Sequence, residues 1–148
     1  MNLETQILKT FCSQFTAYYK SHVLHWQITG PTFYSTHKLL QKIYEDLFAE
    51  TDTLAEIIRT LKIDLPSTLK EIIETSEVLD TPIYDDGIES LQYILDDLDI
   101  LVQTFQELET VSSDLGHNHI QNHCQDRVRV LEKFIWMLRS TLTNRNSV

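Results

Sequence analysis

The chain has little glycine, proline or cysteine. Its 148 residues include three glycines, three prolines and two cysteines. So few turn-forming residues, in a sequence rich in leucine, isoleucine, glutamate and glutamine, indicate a helical protein with few breaks. The two cysteines, Cys12 and Cys124, form no CxxC pair, and we expect them to be reduced thiols in the cytoplasm. At this length we expect one domain spanning residues 1–148.

Long apolar runs and positive charge are also scarce. No stretch approaches the roughly 18 apolar residues that a membrane span needs, and the first residues, MNLETQIL, lack the pattern of a signal peptide. The formal net charge is −10, with one lysine in the first ten residues and one arginine in the last six. Such a surface repels nucleic acid and attracts cations. We therefore expect no tight DNA binding, no membrane association and a cytoplasmic location.

Apolar residues spaced three to four apart predict four long helices. The first ends near Gly30, because Pro31 disfavours helical backbone in the residue before it. A short helix with Ser67 as its N-cap is predicted between the second and third long helices. The four long helices are expected at residues 3–28, 34–61, 87–111 and 119–142.

The lengths of the connections predict how these helices are arranged. Tight connections make the first and second helices, and the third and fourth, antiparallel neighbours. The middle connection of roughly 20 residues is long enough to run the length of a bundle. One long crossover is typical of the ferritin-like four-helix bundle, and we expect an all-α fold of that kind with the short helix in the crossover.

The second helix carries possible metal ligands on one face. At about 100° per residue, His37, Gln41, Phe48, Asp52 and Glu56 fall within an arc of roughly 100°. Imidazole and carboxylate groups are suitable ligands for iron. The alternative is an acidic face that is merely solvated.

Distance along the helix decides how these ligands can meet. His37 and Asp52 are about 22 Å apart along the axis, so one metal ion cannot contact both in one chain. If two copies of the helix pack antiparallel about a two-fold axis near Tyr44 and Glu45, His37 of one chain faces Asp52 of the other. His25, returning across the Gly-Pro break, can join His37. This arrangement predicts two equivalent sites at a self-complementary subunit boundary.

The stretch around these residues, HWQITGPTFYSTHKLLQKIYEDLFAETDTLAE, resembles the signature of the Dps-type miniferritins. The LPSTLKEII segment resembles the short crossover helix of that family, and EKFIWMLRSTL resembles its last helix. The positions that match the signature are His25, Trp26, Gly30, Phe33, His37, Asp52 and Glu56.

The resemblance implies a dodecameric hollow shell with a ferroxidase centre between subunits. Fe(II) would be oxidised there by hydrogen peroxide or oxygen, stored inside as a ferric mineral, and so kept from causing oxidative stress. By position, His25, Asp52 and Glu56 would hold the principal iron, and His37 would help to bind a second. A tryptophan next to the first ligand, Trp26, is expected to pack in the core or an interface.

One position departs from the family pattern. Where the family usually has an aspartate, one turn after the second histidine, this chain has Gln41, whose amide attracts a dication less strongly. The alternative is therefore a Dps-like cage with weakened or lost ferroxidase activity.

A third hypothesis is a di-iron site inside one bundle. Such a site needs Glu-x-x-His pairs, and the sequence contains none.

Three other histidines are further candidates. His119, His123 and Asp126 fall on one face of the fourth helix and are candidates for a secondary or pore metal site, with exposed, solvated side chains as the alternative. His22 lies one turn before His25. We expect it to be a partly buried or surface histidine, with support of the metal ligands as the alternative.

Overall fold

The chain folds into five α-helices, in a computed structural model that describes residues 2–84 and 86–144. Those two segments contain no β-strand, and none of their helices is long and apolar enough to cross a membrane. The all-α prediction of four long helices with a short helix in the crossover is confirmed. The helices are α1 Leu3–Gln27, α2 Phe33–Thr60, α3 Leu69–Thr75, α4 Leu91–Asp114 and α5 Asn118–Leu142.

Two predicted helix starts were wrong. The N-cap of α3 is Thr68 rather than Ser67, because the Thr68 hydroxyl accepts a hydrogen bond from the Glu71 backbone N–H at 3.2 Å. The third long helix does not begin at Gly87. A 3₁₀ turn, Ile88–Ser90, comes first, and α4 follows it. The predicted bounds of α1, α2 and α5 lie within one residue of the observed ones, and α4 ends at Asp114, beyond the predicted end at residue 111.

The turn between α1 and α2 depends on a glycine. Gly30 has a φ of +121°, which residues with a Cβ rarely adopt. The turn is also held from outside, because the Thr29 backbone N–H donates to the Asp86 carbonyl oxygen at 2.7 Å. This contact ties the end of the crossover to the point where α1 and α2 meet.

Helix α1 packs against α2, α3 and α4, and α5 packs on α4. Leucine and isoleucine dominate the core, as the helical periodicity predicts. Side chains with no exposed area occur on all four long helices, among them Ile7, Leu24, Leu40, Leu47, Leu98, Phe105 and Leu131.

A buried ion pair joins α1, α4 and the crossover. Lys20 lies with its Nζ 2.9 Å from Asp97 Oδ2, and it also donates to the Leu79 carbonyl at 3.1 Å and to Thr81 Oγ1 at 3.3 Å. Burial raises the pKa of Asp97 to about 6, against the lowering effect of Lys20. The amino group therefore holds the crossover against the bundle, with two contacts to the crossover and one to α4.

Candidate metal centre

Two histidines meet where α1 ends and α2 begins. His25, in the last turn of α1, is 7% exposed, and His37 is partly buried near the start of α2. Their rings are stacked, with centroids 3.7 Å apart and planes 16° from parallel. The Nδ1 atom of each lies 2.8 Å from the backbone carbonyl oxygen of the other.

These reciprocal hydrogen bonds determine which nitrogens are available to a metal. A carbonyl oxygen only accepts, so each neutral ring carries its proton on Nδ1 and keeps the lone pair of Nε2. The pKa of His25 is lowered, chiefly by burial and further by nearby His37, although the hydrogen bond to the His37 backbone opposes this. Protons therefore compete less well for Nε2 of His25.

His22 is partly buried one turn before His25. Its Nδ1 is 2.8 Å from the Tyr18 hydroxyl, and burial together with the neighbouring His25 lowers its pKa. Its ring lies among aromatic neighbours rather than in solvent, with Tyr44 of α2 at a centroid distance of 3.7 Å.

The two candidate carboxylates, Asp52 and Glu56, lie further along α2 and are exposed. Asp52 borders an open groove of about 620 Å³ between α1 and α2, whose apolar lining includes Phe15 and Phe48. Over residues 2–84 and 86–144, no three His, Cys, Asp or Glu side chains of the one chain lie close enough to hold a metal ion. The chain alone therefore brings the two imidazoles together, and leaves the two carboxylates facing outward.

Gln41, one turn after His37, is already engaged. Its amide nitrogen donates to Glu45 Oε1 at 2.9 Å, on the same partly open face of α2. The carboxylate of Glu45 is thereby held beside the amide, one turn further from the histidine pair.

The histidines of α5 do not form the group that the helical wheel suggested. His123 Nε2 contacts Glu50 Oε2 of α2 at 2.7 Å, Asp126 lies near Arg129 at 3.6 Å, and His119 is exposed. Because His123 turns toward the bundle while the other two face outward, the three side chains share no common site. Whether His119, His123 or Asp126 contributes to a secondary or pore metal site stays a prediction.

Sequence reasoning missed the charged network to which His123 belongs. Glu50 is 5% exposed and Arg127 6%, and Arg127 binds Asp46 through two hydrogen bonds of 3.1 and 2.6 Å. The sequence feature that could have revealed this network is the position of Glu50, which falls on the buried face of α2 with Leu47 and Leu54. A carboxylate on a buried face requires a partner, and here α5 supplies it.

Comparison with known proteins identifies the family. A model of the ferritin-like domain matches residues 4–148. A DNA protection during starvation protein from Helicobacter pylori is 32% identical over 126 residues, covering 83% of this chain and 86% of that protein.

Solved structures support the same family assignment. A crystal structure of Dps from Vibrio cholerae O1, described as a member of a superfamily of ferritin-like diiron-carboxylate proteins, has a TM-score of 0.89 at 25% identity and covers 95% of this chain and 89% of its own. Antigen TpF1 from Treponema pallidum has a TM-score of 0.90 at 25% identity, with 96% and 92% covered. The chain belongs to the ferritin-like family, and within it to the Dps-type miniferritins.

Proposed function

We propose that this miniferritin binds Fe(II) between two subunits, oxidises it with hydrogen peroxide or oxygen, and stores the ferric product in a dodecameric shell. Family membership supports the broader part, iron storage and protection against stress. Iron is both the substrate and the stored cargo. The proposed location is the cytoplasm, and protection of DNA would be chemical, because a net charge of −10 disfavours tight binding to phosphates.

The observation that carries the proposal is the locked histidine pair. His25 and His37 each keep an Nε2 lone pair, yet in the described part of the same chain no carboxylate lies close enough to complete a metal site with them. Asp52 and Glu56 lie about 22 Å or more from His37 along α2. A second copy of α2, running antiparallel, would carry its own carboxylates to this point.

The surface of α2 supports such pairing. Phe48, a large apolar side chain, is 59% exposed and borders the same groove as Asp52. Phe48 lines the groove together with Phe11 and Phe15, and contiguous apolar surface of this kind favours contact with another molecule. A two-fold contact centred near Tyr44 and Glu45 would cover Phe48 of both copies and create two equivalent sites.

The ligand set suits the reaction. Neutral imidazoles bind Fe(II) without adding charge, and carboxylates stabilise the more highly charged Fe(III). From the family resemblance, His25, Asp52 and Glu56 would bind the principal iron, and His37 would help to bind the second. Two Fe(II) ions give up one electron each, and hydrogen peroxide takes both electrons with two protons to become two water molecules. Hydroxyl radical is not released when both electrons are transferred together.

The test is peroxide-driven oxidation of added Fe(II), followed by absorbance. The double variant Asp52→Ala/Glu56→Ala should oxidise iron no faster than buffer while the shell still forms on size-exclusion chromatography. The matched control is Glu107→Ala/Asp114→Ala, which removes the same charge from exposed positions on α4 and should keep wild-type activity. Full activity in the Asp52/Glu56 variant would refute the site assignment.

A second candidate function is a cage without efficient ferroxidase activity. It is favoured by Gln41, whose amide is uncharged and donates to Glu45 at 2.9 Å. In that case the wild-type chain would assemble, yet added Fe(II) would oxidise at the rate seen in buffer.

A further inference from the structure

A continuous row of aromatic rings runs from the exposed surface of α1 to the histidine pair. Consecutive ring centroids are separated by 4.0, 3.7, 4.9, 3.7 and 5.0 Å. The rings, in order, belong to Trp26, His22, Tyr44, His25, His37 and Phe33. Two of the six rings belong to the proposed iron ligands, His25 and His37. The proposed function assigns no role to the third imidazole, His22.

His22 is held on both faces of its ring. Tyr44 is stacked on it at 3.7 Å with planes 8° from parallel, and Trp26 lies 4.0 Å away at 32°. Two rings at such distances cannot occupy the same face, so they enclose the imidazole between α1 and α2. The Tyr18 hydroxyl fixes its rotation by bonding to Nδ1 at 2.8 Å. A side chain held at three points is rigid and can support its neighbours.

Tyr44 transmits this support to the metal ligand. Its ring contacts His25 edge to face, with centroids 4.9 Å apart and an angle of 61°. His25 is fixed at Nδ1 by one hydrogen bond to the His37 carbonyl, about which the ring can still tilt. The rings of Tyr44 and His37 limit that tilt. His22 keeps Tyr44 in place by stacking at 3.7 Å, whereas its own ring meets His25 only at its edge, with centroids 6.0 Å apart. Tilt of the ring changes the direction of the Nε2 lone pair.

We propose that His22 is a positioning residue for iron binding, which acts through Tyr44 to aim Nε2 of His25. The inference rests on the proposed function, since it requires His25 to bind metal. Groups that hydrogen-bond to a metal ligand typically change metal affinity by about 10- to 100-fold when they are replaced, and for His22, which acts through a ring contact, we expect the lower end of that range.

The test uses Co(II) as an air-stable probe, with affinity from calorimetric titration and ligand geometry from the visible absorption spectrum. His22→Leu removes the ring and should weaken Co(II) binding by roughly tenfold or more and change the spectrum. His22→Phe keeps a ring between Tyr44 and Trp26 and should restore both. Tyr84→Leu is the control, because it removes an aromatic ring that is 85% exposed on the crossover. Wild-type affinity and spectrum in His22→Leu would overturn the proposal.

The route through Tyr44 is tested by a double-mutant cycle. If His22 acts through Tyr44, adding His22→Leu to Tyr44→Leu should weaken Co(II) binding little further. Additive losses would overturn that route. Should His22→Leu not assemble, His22→Gln keeps a polar side chain without a ring and gives the same readouts. Failure of the wild-type chain to bind Co(II) would count against the proposed function, whereas equal binding by wild type and His22→Leu would count against this inference alone.

Discussion

His25 and His37 hold each other through two equal hydrogen bonds, each Nδ1 lying 2.8 Å from the other residue's carbonyl oxygen. Most metal-binding histidines are oriented by a carboxylate, a carbonyl or water. Here each proposed ligand is oriented by the backbone of the other. The direction of both imidazoles therefore depends on how α1 turns into α2.

The turn glycine should consequently affect metal binding. Gly30→Ala places a Cβ on a residue with φ of +121°, at a cost of more than about 1 kcal/mol, and relaxation of the turn would disturb both histidine hydrogen bonds. Gly116→Ala, at a φ of +78° in the α4–α5 turn, is the matched control. Both variants should melt at a lower temperature, but only Gly30→Ala should lose Co(II) affinity. Equal affinities would mean that the turn does not control the pair.

Gln41→Asp should strengthen binding of the second iron. The substitution replaces an amide that donates to Glu45 with a charged group one turn from His37, and charge attracts a dication more strongly. Anaerobic Fe(II) titration should then reveal a tighter second site per subunit. Gln92→Asp on α4 is the control, since Gln92 donates to Asp96 at 2.8 Å in the same i, i+4 arrangement. An unchanged titration of Gln41→Asp would mean that position 41 does not face the metal.

The buried Asp97 should make stability depend on pH. Its pKa in the folded chain is about 6, above the ordinary 3.8, so its contribution to stability is fully present below 3.8 and is lost as pH rises through 6. Relative to Asp97→Asn, wild type should lose up to about 3 kcal/mol between pH 4 and pH 7. Urea denaturation at both values measures this. The control is Glu107→Gln on the exposed face of α4, whose free energy of unfolding should change with pH as that of wild type does. If the free energies of unfolding of wild type and Asp97→Asn changed equally between the two pH values, the prediction would be wrong.

The network between α2 and α5 should matter for stability. Glu50→Ala removes a nearly buried carboxylate and leaves Arg127, 6% exposed, with fewer partners. We expect a loss of about 3 kcal/mol in the free energy of unfolding. Glu74→Ala breaks an exposed ion pair with Lys70 at 3.9 Å and should change little. Urea denaturation midpoints compare the two, and similar midpoints would show that Glu50 contributes little to holding α5 against α2.

Interactions between residues close together in the chain explain which parts of the fold the sequence predicts. Apolar spacing located the four long helices to within a few residues, because helix periodicity is a property of neighbouring residues. The meeting of His25 and His37 was also foreseeable, since a Gly-Pro break only a few residues long must fold α2 back onto α1. The start of α3 was missed because Ser67 and Thr68 are both good N-caps, and only the backbone conformation distinguishes them.

The sequence by itself determined the helices, the turn at Gly30 and the histidine pair, because all three depend on interactions between residues close together in the chain. Only the tertiary structure decided that His123 binds Glu50, 73 residues away, and that Lys20 binds Asp97, 77 residues away. A helical pattern states which residues share a face but not which face of another helix they meet. That choice belongs to the packing of the whole bundle, which buries these charges and so requires them to pair.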